Sequence, residues 1–218
     1  MSKSKDIREA VETELGFDPL VDSSDVSVKN LEGEVALNGT VPSYPQYLEA
    51  AAAARRVSGV RDVHNHLEVS LPPGDYRDDA TLTTTANNAL QLDVTVPTGV
   101  EAKAKSGNLT LTCTVSFGSQ RVAAADAVAG LVGVRNIKNE IEIFYDADPI
   151  DVTLNVQDAL WRYSLIPDDS DVLVETDVNT VTLVGHVRTW AEHDAVIAAA
   201  WMTPGVFDVF DELLITGW

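Results

Sequence analysis

Four histidines, one cysteine and several aspartate runs are the residues of this 218-residue chain whose chemistry could amount to a site. His64 and His66 stand two apart, a spacing that on a β-strand puts both imidazoles on one face, where a transition metal could be held. Asp168-Asp169-Ser170-Asp171 offers the oxygen ligands that calcium takes, but lacks the glycine and terminal glutamate of an EF-hand loop. Cys113 is single, which excludes an intramolecular disulfide. No serine lies in a nucleophile-elbow context beside a repeated His and Asp. These residues predict no catalytic group, no metal and no cofactor. The aromatic residues are more pointed, because Trp161, Trp190, Trp201 and Trp218 all lie in the last third of the chain. Indoles combine a large apolar face with a polar edge and suit a contact surface.

The elements that must position these residues occur three times. Leu37-Asn38-Gly39-Thr40-Val41 is followed by Gly59-Val60, Leu111-Thr112-Cys113-Thr114-Val115 by Gly133-Val134, and Leu183-Val184-Gly185-His186-Val187 by Gly205-Val206. Each leucine precedes its Gly-Val pair by 22 residues, and the copies repeat after 74 and then 72 residues. A preserved period of this kind marks one structural unit used repeatedly. Four residues before each leucine stands a turn former, Gly33, Gly107 or Asn179, a type that tolerates the left-handed position of a tight hairpin. Flanking segments such as Val26-Ser27-Val28 and Val35-Ala36-Leu37 alternate with a two-residue period.

A helix is predicted upstream of each hairpin. Ile7, Val11 and Leu15 fall four apart, as do Val152, Val156 and Leu160, whereas Thr81 to Thr85 weakens the middle copy and leaves Ala86, Ala89 and Leu90 to carry it. Alanine-rich runs over 47–57, 120–131 and 191–202 predict a second helix. Ser43…Gln46 and Thr189…Glu192 fit capping boxes, and Phe117-Gly118-Ser119-Gln120 requires a different cap. A last strand alternates through Val63, Leu67 and Val69, through Ile137, Ile141 and Ile143, and through Val209, Leu213 and Ile215.

The order helix, strand, strand, helix, strand, with Gly33-Glu34-Val35-Ala36-Leu37-Asn38-Gly39-Thr40-Val41 and a closing Gly59-Val60-x-x-Val63, resembles the BON domain of bacterial osmotic-stress and nodulation proteins. The second copy departs by Cys113 in place of the later glycine, and the third by Asn179 in place of the earlier one. The resemblance implies an α+β fold of three tandem αββαβ units, over residues 1–72, 73–146 and 147–218. Each is expected to be a three-stranded mixed sheet with two helices on one face. Gly33, Gly39, Gly59, Gly107, Gly133, Asn179, Gly185 and Gly205 are then structural motif positions. Such small units are marginal singly, so packing between them is expected, across the short linkers Leu71-Pro72-Pro73-Gly74 and Tyr145-Asp146-Ala147-Asp148-Pro149.

The repeat also weighs the chemical candidates. Asp22-Ser23-Ser24-Asp25 takes the place of the later aspartate run, so both read as turn-forming loops. Where the first unit has His64 and His66, the others have Lys138 with Glu140 and Phe210 with Glu212, so the pair reads as a solvated strand face. His186 and His193 have no counterparts. Trp190 shares its loop position with Tyr44 and Gly118. Tyr44, Trp161, Trp190 and Trp201 are the expected contact residues, either between units or toward lipid, protein or a second copy.

Charge separates the units. Lys plus Arg against Asp plus Glu is 7 to 12 in residues 1–72, 6 to 9 in 73–146 and 2 to 13 in 147–218, within a net charge of −19. A nucleic-acid partner is excluded for lack of a basic cluster. Anionic membrane is disfavoured for the third unit, because carboxylates reverse the attraction that basic residues supply. The N-terminal Met1-Ser2-Lys3-Ser4-Lys5-Asp6 is not followed by the apolar stretch of a secretory signal, and no segment has transmembrane length. The chain as written is expected in the cytoplasm, and in the periplasm if a leader has been removed. Three roles fit. The resemblance implies a noncatalytic, stress-linked scaffold contacting phospholipid or envelope partners; the charge suits a cytosolic protein-interaction or chaperone-like module; potassium sensing is a third.

Overall fold

The computed structural model describes residues 3–144, 149–163, 171–177 and 179–216. The aspartates and serine at 168–170, most of the second linker and Trp218 lie outside these. The described residues form α+β units repeated along the chain. In the first, α1 (Lys3–Phe17) precedes the hairpin β1 (Val26–Leu31) and β2 (Glu34–Val41), then α2 (Tyr44–Arg55) and β3 (Asp62–Val69). The second comprises α3 (Asp79–Leu92), β4 (Glu101–Lys105), β5 (Asn108–Thr112), β6 (Thr114–Val115), α4 (Gly118–Ala129), β7 (Asn136–Asn139) and β8 (Glu142–Ile143). The third comprises α5 (Pro149–Arg162), β9 (Val172–Asp177), β10 (Thr180–Val187), α6 (Trp190–Trp201) and β11 (Asp208–Ile215).

Each hairpin strand pairs antiparallel with its predecessor and parallel with the strand after the alanine-rich helix, so β2 and β10 are central. Three separate apolar cores lie between sheet and helices, one built on Val11, Leu15, Val35 and Leu37, one on Leu82, Leu90, Leu109 and Leu111, and one on Val152, Val156, Val181 and Leu183.

The repeat-spaced turn residues and Gly-Val glycines meet one another in space. In the two-residue turns Glu32-Gly33 and Ser106-Gly107 both residues take positive φ (54° and 101°, 53° and 80°), the backbone of a type I′ hairpin whose twist matches its strands. The turn carbonyl then accepts a hydrogen bond from the amide two residues after the left-handed glycine of the Gly-Val pair: Arg61 to Gly33, Arg135 to Gly107 and Phe207 to Asn179, each at 2.8 Å. A Cβ on Gly33 would stand 2.8 Å from the Gly59 carbonyl oxygen. Asn179 turns this crowding to use, since its Nδ2 donates to the Gly205 carbonyl at 2.7 Å.

The middle unit departs from the expected single three-stranded sheet. Its strands form a three-stranded ladder, β4-β5-β7, and a separate two-stranded one, β6-β8. Cys113 is the cause. At the matching Gly39 and Gly185 the backbone has φ of 126° and 142°, and a Cβ would fall 1.9 and 1.8 Å from the carbonyl oxygens of Asp25 and Asp171. A cysteine cannot follow that path, so the ladder stops at Thr112 and resumes at Thr114.

The threonine-rich α3 forms despite its propensity because tertiary bonds hold it. Asp78 caps it, accepting from the amides of Ala80 and Thr81, and Asp79 accepts from Ser106 and Gly107 in the hairpin turn. Asn87 bonds both the amide and the carbonyl of Ala102, and the Thr83 hydroxyl accepts from the Ala104 amide. Leu82 joins Ala86 and Leu90 in the core. The capping boxes are half realised: Ser43 and Thr189 accept from the amides of Gln46 and Glu192, but Gln46 reaches the Asp22 amide and Glu192 the Arg188 amide. In the middle unit only the Gln120 half exists, accepting from Ser116 and Phe117.

Gly39→Ala or Gly185→Ala is expected to cost more than about 2 kcal/mol in urea unfolding, since a left-handed backbone and a carbonyl clash coincide. Asp78, through the Thr81 hydroxyl and then the helix amides, and Asp93, through the Thr95 hydroxyl and then its amide, are held below the ordinary carboxylate value. A depressed folded-state value stabilises above the unfolded value. Melting temperature should therefore hold steady down to the ordinary aspartate range and fall as pH drops through the depressed values.

Candidate interaction surfaces

Five of six repeat-equivalent positions meet a neighbouring unit. At the start of the alanine-rich helix stand Tyr44, Gly118 and Trp190; eleven residues on, near its end, stand Arg55, Ala129 and Trp201. Trp190 of the third unit lies under the Arg55 guanidinium of the first, 4.6 Å from its ring centre, and its Nε1 donates to the Val60 carbonyl at 3.3 Å. Gly118 of the second unit lies against the Trp201 indole of the third, where a Cβ would come within 2.1 Å of the ring. Tyr44 of the first packs on the core of the second, with Tyr47 stacked at 5.6 Å. Burial, and secondarily Tyr47, raises the Tyr44 phenol above its ordinary value. Phe144 and Phe207, 6.4 Å apart, extend the second-to-third contact.

Beneath Trp190 sits a group that sequence reasoning did not find. His193 is buried, presents an edge to the indole at 4.9 Å, and bonds Asp194 through Nδ1 (3.0 Å) and Asp211 through Nε2 (2.7 Å). The strand spacing of Asp211 from the helix start carries no signal of this pairing. His64 and His66 instead lie exposed, rings 6.3 Å apart, with His64 beside Asp62. Among the described residues no three His, Cys, Asp or Glu side chains converge as metal ligands, and no helix is long and apolar enough to cross a membrane.

Trp161 differs from the two interface tryptophans. It is 78% exposed at the end of α5, with Leu154 and Met202 also exposed. On another face of α5 a groove of 420 Å³ against α6 is lined by Asn155, Ala159, Arg162, Tyr163, Ala199, Met202, Thr203 and Pro204. The equivalent end of the first unit is closed by charge. There Arg56, the counterpart of Met202, bonds Glu49, Glu14 and Asp18, which together raise its pKa above the ordinary arginine value.

A family model described as the BON domain matches residues 3–70, 78–143 and 151–217. The chain belongs to the BON family. Osmotically-inducible protein Y of Escherichia coli (strain K12) is a BON relative at 31% identity over 127 residues, covering 56% of this chain and 63% of that protein. The chain thus spans less than two thirds of that relative. Two structures of CdsD, a structural protein of the type III secretion system of Chlamydia trachomatis, align at 15% identity. They cover 95% and 96% of this BON chain and 91% and 97% of theirs, with TM-scores of 0.26 and 0.27.

Gly118→Ala should lower stability by about 1–3 kcal/mol through overpacking against Trp201. In a Trp201→Leu background the same change is expected to cost less than half as much. Equal penalties in both backgrounds, measured by denaturant unfolding, would show that this contact is not the source.

Proposed function

We propose that this BON chain is a noncatalytic, stress-linked binding scaffold whose contact with phospholipid runs through the α5–α6 end of the third unit. The observations that carry the reading are the exposed Trp161 near the end of α5 and, on another face of the same helix, a largely apolar groove against α6 whose Met202 stands where the first unit has an arginine held by three carboxylates. An indole at a helix end, with Leu154 two turns earlier on the same face of α5, is suited to the headgroup boundary, where an apolar ring and a polar edge are both satisfied. The relative's name supports the link to osmotic stress. Binding of this kind is driven by apolar burial, and the net charge of −19 opposes an anionic surface, so neutral lipid is the better substrate. The same charge favours a second reading, an interaction module for protein partners.

The chain is expected to float with phosphatidylcholine vesicles and to do so several-fold less when phosphatidylglycerol is added. Trp161→Ser should reduce flotation on phosphatidylcholine at least threefold with unchanged melting temperature. Absence of flotation on either lipid overturns the membrane reading in favour of the protein-interaction one.

A further inference from the structure

The outer face of the third sheet, turned away from α5 and α6, is apolar where the other two units are polar. Along β9 and β10 the inward residues Val172, Val174, Val181, Leu183 and Val187 are buried, on β11 Val209, Leu213 and Ile215 are half-buried, and the alternate residues point outward. Four of the latter are Leu173, Val184, Phe210 and Leu214. Leu173, Phe210 and Leu214 are 55%, 57% and 62% exposed. Register brings them together around one carboxylate: Val184 pairs with Leu173 across the β9 ladder and with Glu212 across the β11 ladder, and Phe210 and Leu214, opposite Thr182 and His186, are its diagonal neighbours on either side of Glu212. At the repeat-equivalent places the first unit has Ser27, Asn38, His64 and Glu68, and the second Glu101, Thr112, Lys138 and Glu142. The same scaffold therefore folds with polar residues at all four positions, and its own core does not require the apolar ones.

Charge restricts what can cover this patch. Glu175, Asp177, Asp208 and Glu212 stand on the same face, exposed, and no lysine or arginine of β9, β10 or β11 stands with them. A second copy docked face to face would oppose carboxylates to carboxylates, and an anionic bilayer would meet the same repulsion. A partner with an apolar stripe bordered by lysine or arginine would satisfy both parts of the surface. Three strands spaced about 4.8 Å apart present a width close to the roughly 10 Å diameter of one helix. Exposed apolar residues interleaved with carboxylates are the two kinds of group that such a partner covers together.

We propose that the outer face of the third sheet docks a basic amphipathic helix of a protein partner. Leu173, Val184, Phe210 and Leu214 receive its apolar residues, Glu175, Asp177 and Asp208 meet its flanking cations, and Glu212, between Phe210 and Leu214, takes a cation set within its apolar stripe. The surface lies on the opposite side of the unit from the α5–α6 groove, so it stands independently of the phospholipid reading.

The test is titration of the full chain with a peptide of roughly 18 residues that has leucines at i, i+3, i+4 and i+7 and lysines elsewhere. A second peptide carries glutamate for lysine. The chain is expected to bind the lysine peptide at micromolar concentration and the glutamate peptide at least a hundredfold more weakly. The variant Leu173→Ser, Val184→Asn, Phe210→His, Leu214→Glu installs the first unit's residues and adds negative charge, so general electrostatic attraction would strengthen. Docking on the patch predicts binding at least tenfold weaker instead. Should that variant not fold by circular dichroism, Phe210→His alone is measured, with at least threefold weaker binding expected. Equal or tighter binding by the folded variant overturns the proposal, as does equal binding of the two peptides or no binding of either. Flotation on phosphatidylcholine that is lost in the variant while peptide binding persists also overturns it and assigns the patch to lipid.

Discussion

The hydrogen bond from the residue after the Gly-Val pair to the hairpin-turn carbonyl fixes the register of each parallel strand pair. In a three-stranded sheet with helices on one side, a slip of one residue would exchange the buried and solvent faces of the whole last strand. The bond joins the two parts of each unit that are farthest apart in sequence within the crossover, and it depends on two backbone sites that barely tolerate a side chain. Where Gly33 and Gly107 leave room for the approach, Asn179 replaces space with a second hydrogen bond. Everything on the outer surface of the sheets inherits its orientation from this one constraint.

That constraint also explains how the units can differ so much in surface while sharing a fold. Core positions are fixed by the register and recur as valine, leucine and alanine. Outward positions are released from packing and have become histidine and glutamate in one unit, lysine in another and phenylalanine and leucine in the third. The middle unit shows the limit of tolerance. Cys113 removes a left-handed glycine, and the central strand is interrupted there, but the β4-β5-β7 ladder around Leu109 and Leu111 persists because the Arg135 to Gly107 bond sets its register at the end remote from the break.

Much of this was legible in the sequence because periodic signals report local geometry. The helices, the hairpins and the roles of Gly33 and Gly107 follow from spacing alone. The α3 helix was the weakest expectation, since Thr81–Thr85 argues against it by propensity, and Asn87 and Thr83 hold it through bonds to a strand far along the chain. Partner choice was illegible for the same reason. Nothing in the spacing says that Trp190 lies under Arg55, that Trp201 fills the space left by Gly118, or that His193 sits between two aspartates. The outward run Leu173, Val184, Phe210 and Leu214 becomes a patch only when the strand register places its members side by side.

The contacts between units run in one direction. The helix start of the first meets the second, that of the second meets the third, and that of the third returns to the first. Head-to-tail contacts that fail to return produce filaments, whereas contacts that return consume the adhesive surface within a single closed circuit. Three covalently joined copies can also do what identical subunits cannot, because each junction has its own side chains: a cation over an indole, an indole over a glycine, a phenol against an aliphatic core. The order of the units is thus written into their mutual fit, and a chain with two units exchanged would meet mismatched shapes at every junction.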